Sequence, residues 1–117
     1  MVASAVLVVD EERRVLQTTE STLRTAGYSV SSATNAFDAF HLLRSHHYDL
    51  LLLDCIRDWV WVVQQAKRAN PNTRIAVCTD DFELEQLPLV DILFHKPVSP
   101  LWLLRKIAQL LCIQKAM

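Results

Sequence analysis

The sequence predicts an α/β fold in which a parallel sheet of five strands is covered by helices on both faces. Short apolar runs rich in Val, Ile and Leu recur along the chain, and those at 5–9 and 50–53 are each followed at once by a carboxylate. Strands buried on both faces carry such unbroken apolar runs, and they belong to parallel sheets. Segments with apolar residues at helical spacing separate the runs. This alternation predicts one doubly wound (βα)5 domain over residues 1–117.

Five strands are expected along the chain. They cover residues 5–9, 28–33, 49–54, 74–79 and 90–94. The four leucines at 50–53 are not strong strand formers, but the run lies between polar ends and is too short for a stable helix. We therefore expect a central strand there. The second strand alternates polar and apolar residues, which favours a position near an edge of the sheet.

Helices are expected between the strands and after the last one. They cover residues 15–26, 36–43, 59–69 and the segment from residue 100 onward. Gly27 stands where a C-terminal cap belongs, Asn35 and Ser99 where N-caps belong, and Pro100 in a first helical position. The acidic segment 80–88 has room for only a helical turn or two. The apolar face of the last helix is expected to be Leu101, Leu104, Ile107, Ala108 and Leu111.

Composition excludes several classes of protein. Twelve basic and thirteen acidic residues give a net charge of −1, which lacks the basic excess of a nucleic-acid binder. No apolar run reaches the roughly 18 residues that cross a bilayer, so no membrane association is expected. The single glycine, Gly27, excludes the glycine-rich phosphate loops of nucleotide binders. Cys55, Cys78 and Cys112 have no metal-type spacing and are expected to be buried thiols in a reducing cytoplasm.

Polar residues stand at the carboxyl ends of the predicted strands. The first strand runs into Asp10 and Glu11, the third into Asp54, the fourth into Thr79 and the fifth into Lys96. Ligands bind at this edge of an open parallel sheet. Each carboxylate alone could cap the following helix. Together they repel one another unless a cation offsets them, and oxygen ligands with room for water suit Mg²⁺.

These motifs, in this order and at this spacing, resemble the receiver domain of bacterial two-component response regulators. The motifs are VLVVDEE at 6–12, AGY at 26–28, YDLLLLD at 48–54, NPN at 70–72, Thr79 and KP at 96–97. The resemblance spans nearly the whole chain. It implies the flavodoxin-like receiver fold of CheY and a cytoplasmic role in phosphorelay signalling rather than an enzyme's role.

The resemblance also implies a role for each matching residue. Asp54 is the expected phosphoryl acceptor, taking the group from the phosphohistidine of a sensor histidine kinase or phosphotransfer protein, or from a small phosphodonor. Lys96 pairs with the aspartyl phosphate, and Thr79 bonds one of its oxygens. The signal then passes to a downstream effector protein by direct contact.

A magnesium site and a dimer face are implied as well. Asp10, Glu11, Asp54 and the backbone carbonyl of Ile56 are the expected Mg²⁺ ligands. The face formed by helix four, strand five and helix five commonly dimerises in this family. Trp102 on that face is expected to be only partly buried, which would suit a homodimer interface.

The chain departs from the receiver pattern in three places. The segment 55–59 lacks the usual proline and glycine and is short, which affects the metal site, and Arg57 could take the place of the cation by pairing with the acids. Asp80 follows Thr79 where a small residue is usual. Leu93 replaces a tyrosine or phenylalanine, and the neighbouring Phe94 faces the other side of the strand.

These departures leave alternatives open. The first is a degenerate pseudo-receiver that acts as an interaction module without phosphorylation. A Mg²⁺-dependent phosphohydrolase using Asp54 would need a second acid at position 56, where the chain has Ile56. A flavodoxin-type FMN binder would need a hydroxyl-rich loop after the first strand, where the chain has Asp-Glu-Glu.

Overall fold

The computed structural model describes residues 3–81 and 87–116, with side chains up to residue 112. Most of the segment 80–88, for which a helical turn or two was predicted, lies outside these residues. Among the described helices, none is long and apolar enough to cross a membrane.

The described elements are five strands and four helices. The strands are β1 (Ala5–Val9), β2 (Ser29–Ala33), β3 (Leu50–Asp54), β4 (Arg74–Thr79) and β5 (Ile92–His95). The helices are α1 (Arg13–Thr25), α2 (Ala36–Ser45), α3 (Trp59–Ala69) and α4 (Pro100–Ala116). The helix that begins at Pro100 is α4 here. It is the helix predicted from residue 100 onward, which the dimer face of the family counts as helix five.

The strands form one parallel sheet in the order β2-β1-β3-β4-β5, as the α/β prediction requires. The leucine run is a central strand and β2 lies at an edge, so both predictions are confirmed. The chain reverses its direction of progress across the sheet between β1 and β3. In doubly wound folds this switch point opens a crevice at the carboxyl ends of the strands.

The core consists of two apolar layers, one on each face of the sheet. Alternate leucines of β3 enter opposite layers because successive side chains of a strand face opposite sides. Leu51 and Leu53 pack with residues of α2 and α3. Leu50 and Leu52 pack with residues of α1 and α4. All four are buried, which explains why β3 carries no polar residue before Asp54.

The predicted caps are present at the helix ends. The Asn35 side chain accepts a hydrogen bond from the Asp38 N–H at 2.8 Å, and Ser99 Oγ accepts one from the Trp102 N–H at 3.2 Å. Gly27 follows α1 with φ of +99°, in the conformation that glycine adopts without steric cost.

Two sequence predictions about burial are wrong. Leu101 is 80% exposed and Ala108 is also exposed, whereas Ile107 and Leu111 are buried as predicted. Leu103 completes the buried stripe of α4. This narrower stripe, with spacing of four residues, is the line along which α4 contacts the sheet. Cys112, expected to be buried, is exposed, because it lies one position beyond the stripe.

Gly27→Ala should lower the free energy of unfolding by about 1 kcal/mol, because alanine is strained at this positive φ. No heavy atom lies within 4 Å of the position an added Cβ would occupy, so the loss comes from backbone strain and not from a clash. Urea unfolding would measure it. Gly27→Asn should lose less, since asparagine tolerates the left-handed region, and equal stability of all three proteins would contradict the assignment.

Candidate functional site

Two carboxylates lie side by side at the switch point of the sheet. Val9 of β1 and Leu53 of β3 are paired in register, so the next residues, Asp10 and Asp54, lie at the ends of neighbouring strands. Asp10 is buried, and its Oδ1 accepts a hydrogen bond from the Glu12 N–H at 2.9 Å. The Asp10 N–H donates to the Ala33 carbonyl at 3.1 Å. These bonds fix the Asp10 side chain at the mouth of the crevice.

Burial raises the pKa of Asp10 above its usual value. The neighbouring Asp54 charge raises the pKa further, while the hydrogen bond from Glu12 and the charge of Lys96 lower it. At Asp10, the raising effect of the Asp54 charge exceeds the lowering effect of the Lys96 charge. The strand ends therefore favour an additional cation at this position.

Lys96 forms an ion pair with Asp54 across the carboxyl edge of the sheet. Its backbone N–H donates to the Thr79 carbonyl at 2.7 Å, which holds the segment after β5 against the end of β4. Burial lowers the pKa of Lys96, but the hydrogen bond and charge of Asp54, with the charge of Asp10, outweigh this effect and raise the pKa overall. Lys96 is thus a cation directed at the carboxylate predicted to be the acceptor.

Thr79 is buried at the end of β4, but its hydroxyl is bonded to a group other than Asp54. Thr79 Oγ1 accepts a hydrogen bond from the Asp81 N–H at 3.0 Å, and Cys55 lies beside Thr79. Sequence reasoning missed this position of Cys55. The signal was the register: Asp54 pairs with Cys78, so the next residues along both strands, Cys55 and Thr79, are neighbours.

The predicted magnesium ligands are only partly brought together. Asp10 and Asp54 line one cavity, whereas Glu11 is exposed and does not line it. Over residues 3–81 and 87–116, no three acidic, histidine or cysteine side chains are grouped closely enough to hold a metal ion. The Ile56 carbonyl already accepts a hydrogen bond from the Trp59 N–H at 3.2 Å.

The residues present nevertheless fit Mg²⁺ in their chemistry. This ion often binds one or two carboxylates and substrate phosphates and keeps several of its waters. Asp10 and Asp54 supply two neighbouring carboxylates that line one cavity. A carbonyl oxygen such as that of Ile56 also has a second lone pair.

The cavity at this edge has a volume of about 650 Å³. Its charged lining residues are Asp10, Glu12, Asp54, Asp80 and Lys96. Asp80, which stands where a small residue is usual, thus lies in the lining of this cavity. Cys78 also lines the cavity. Burial raises the pKa of its thiol to about 12, so the thiol stays neutral.

The loop after Asp54 lacks the usual glycine, and an aspartate takes the backbone conformation that the glycine would adopt. Asp58 immediately precedes α3 with φ of 64° and ψ of 23°, the left-handed conformation that glycine usually supplies. Aspartate tolerates this region better than most residues. Arg57, proposed from sequence as a replacement cation, is exposed beside Glu11 and does not line the cavity of Asp10 and Asp54.

Comparison with known proteins agrees with this geometry. The family model of the response regulator receiver domain matches residues 6–88. No curated protein sequence matches the chain. The chain therefore belongs to the response regulator receiver domain family, and its role is two-component signalling.

Solved structures show the same fold. A CheY-like receiver domain protein from Methanospirillum hungatei JF-1 is 24% identical, with a TM-score of 0.88 and 98% of each chain covered. A receiver protein from Sinorhizobium medicae WSM419 is 27% identical, with a TM-score of 0.84 over 96% of this chain and 97% of that one. Response regulator TrrA from Thermotoga maritima, in complex with Mg²⁺–BeF, is 22% identical, with a TM-score of 0.82 over 92% and 98% of the two chains.

Asp58→Gly should raise the free energy of unfolding by up to about 1 kcal/mol, because glycine adopts the left-handed conformation without steric cost. Asp58→Ala should lower it by a similar amount, since alanine has no polar group that bonds locally. Urea unfolding of both variants checks the assignment. A larger loss for glycine than for alanine would contradict it.

Asp10→Asn should raise the free energy of unfolding at neutral pH by up to about 1 kcal/mol. The folded protein holds the Asp10 pKa above its unfolded value, so the ionised carboxylate costs stability that is recovered as pH falls through the folded pKa. The difference between variant and wild type should therefore shrink in acid. Urea unfolding without divalent cations, with Glu11→Gln as an exposed control, measures it; a gap that widens in acid contradicts the pKa direction.

Proposed function

We propose that residues 1–117 form one cytoplasmic receiver domain that accepts a phosphoryl group on Asp54. The donor is the phosphohistidine of a sensor histidine kinase or phosphotransfer protein, and the output is contact with a downstream effector protein. The observation that carries this proposal is the Asp54 carboxylate paired with Lys96 and adjoining the buried Asp10 at the switch point of the sheet.

The proposed reaction is a displacement at phosphorus. An Asp54 carboxylate oxygen forms the new P–O bond while the bond between phosphorus and the donor nitrogen breaks, and the electron pair leaves with the imidazole. Phosphoryl transfer depends mainly on positioning and on stabilisation of charge on the equatorial oxygens. Lys96 supplies a positive charge at Asp54 before and after transfer, and its raised pKa keeps it protonated.

Asp10, Glu11, Asp54 and the Ile56 carbonyl are the residues that would hold Mg²⁺. The ion would neutralise charge on the transferring phosphoryl oxygens. The TrrA structure in complex with Mg²⁺–BeF supports this assignment by similarity of fold. Asp10 and Asp54 already lie at one cavity, whereas Glu11 would have to turn inward from its exposed position.

Thr79 is the proposed partner of a phosphoryl oxygen on Asp54. Its hydroxyl would donate a hydrogen bond to the phosphoryl group. The Asp81 N–H can remain bonded to Thr79 Oγ1 at the same time, because a hydroxyl oxygen accepts while its proton is donated elsewhere. The new hydrogen bond would connect the state of Asp54 to the chain after β4.

Homodimerisation remains part of this proposal. Its face contains β5, α4 and the predicted helical segment within 80–88. The exposed residues Leu101 and Trp102 support it, since both lie at the start of α4. The Lys106 ammonium lies 4.5 Å from the centre of the Trp102 ring, which holds the indole at the surface.

Incubation with acetyl phosphate and Mg²⁺ should add one phosphoryl group to the intact protein, measured by mass spectrometry. Asp54→Asn and addition of EDTA should each abolish the increase, because they remove the nucleophile and the cation. Asp91→Asn serves as a matched control, since that carboxylate accepts the Ile75 N–H away from the crevice. Labelling that survives in Asp54→Asn would contradict the proposed acceptor.

A second candidate function is an interaction module that works without phosphorylation. The Ile56 carbonyl and the Thr79 hydroxyl favour it, because both oxygens already accept hydrogen bonds from the protein itself. In that case the assay above gives no mass increase under conditions that label an ordinary receiver domain.

A further inference from the structure

Helices α2 and α3 present an aromatic surface that the phosphoryl site does not use. We define the α2–α3 aromatic row as Phe37, Phe40, His41 and Trp61. Phe37 is 68% exposed and Trp61 is 39% exposed. The Phe40 and Trp61 rings are 5.2 Å apart, and His41 contacts both phenylalanines at 4.5 and 5.6 Å. The row is therefore continuous across the two helices.

Cations lie beyond the row on both helices. Arg44 is seven residues after Phe37 and Arg68 is seven after Trp61, so each arginine shares a helical face with an aromatic residue two turns earlier. The Arg44 guanidinium lies 5.6 Å from the centre of the Phe40 ring. Basic residues complement the dipole at helix C-termini, but that effect does not account for exposed Phe37 and Trp61.

The same surface lacks acidic residues at its basic end. None of the thirteen acidic residues of the chain falls within 39–48 or 59–73, although the net charge is −1. His46 and His47 follow α2 and line a cavity of about 390 Å³ between the ends of the two helices, together with Arg44 and Asn70. An anionic group placed there meets the Arg44 guanidinium and hydrogen-bond donors, and no carboxylate of the described residues lines the cavity.

We propose that this surface binds an acidic segment of a partner protein that carries a large apolar side chain. The apolar side chain packs on the α2–α3 aromatic row, and carboxylates reach Arg44, Arg68 and the cavity at the helix ends. Aromatic and arginine side chains are the groups that most often dominate protein interfaces. This binding is independent of Asp54, which lies in a separate cavity at the carboxyl edge of the sheet.

The test uses a fluorescein-labelled, glutamate-rich peptide carrying two phenylalanines, titrated with the full chain and followed by fluorescence anisotropy. Saturable binding is expected, weakened by added salt, and a lysine-rich peptide of the same pattern should not bind. Phe37→Ser and Arg44→Glu should each weaken binding about tenfold or more. Both residues are exposed, so the variants should fold, and circular dichroism checks this.

Matched controls come from α4. Leu101→Ser removes an apolar side chain that is 80% exposed, and Arg105→Glu reverses an exposed charge, so both should bind the peptide as wild type does. Asp54→Asn should also bind normally, which separates this result from the phosphorylation assay. Absent saturable binding, or equal losses in the α4 controls, would overturn the proposal.

A second copy of the chain is the competing occupant of this surface. The chain's own residues 80–85, with the sequence DDFELE, combine acidic and apolar groups. Sedimentation velocity should show an association state that does not change in Phe37→Ser. A dimer that Phe37→Ser dissociates would overturn the proposal of a separate partner and assign the surface to a second copy.

Discussion

The incompletely balanced charge at the ends of β1 and β3 governs the site. Parallel pairing places Asp10 and Asp54 next to each other, and burial makes their repulsion costly because less water surrounds the charges. Lys96 reduces this cost by pairing with Asp54, and its backbone bond to Thr79 ties the segment after β5 to β4. The proposed binding of a cation and the proposed phosphoryl transfer both rest on this arrangement of charges.

The loop from Cys55 to Asp58 shows how the fold accommodates unusual residues. Asp58 adopts the backbone conformation of a glycine, and Cys55 lies beside Thr79 at the adjacent strand ends. Both residues lie within a few positions of Asp54. They change the groups that surround Asp54, the proposed phosphoryl acceptor.

The two surfaces with chemical character lie close to each other in the fold. The acidic crevice lies at the carboxyl ends of the strands, and the aromatic surface lies on the outer side of α2 and α3. These helices cover the sheet face that contains Leu51 and Leu53, in the strand that ends at Asp54. Phe37 lines one cavity with Glu11 and Ile56, so a partner bound to the helices would lie near two of the proposed magnesium ligands.

The sequence by itself determined the parallel sheet, the caps at Gly27, Asn35 and Ser99, and the polar residues that meet at one edge. Apolar runs, helical spacing and turn residues are local properties, and parallel strands necessarily share an edge. Tertiary structure alone decided the buried stripe of α4, the left-handed Asp58, the position of Cys55 beside Thr79 and the outward position of Glu11. Each depends on packing between elements distant in sequence, and local spacing does not contain that information.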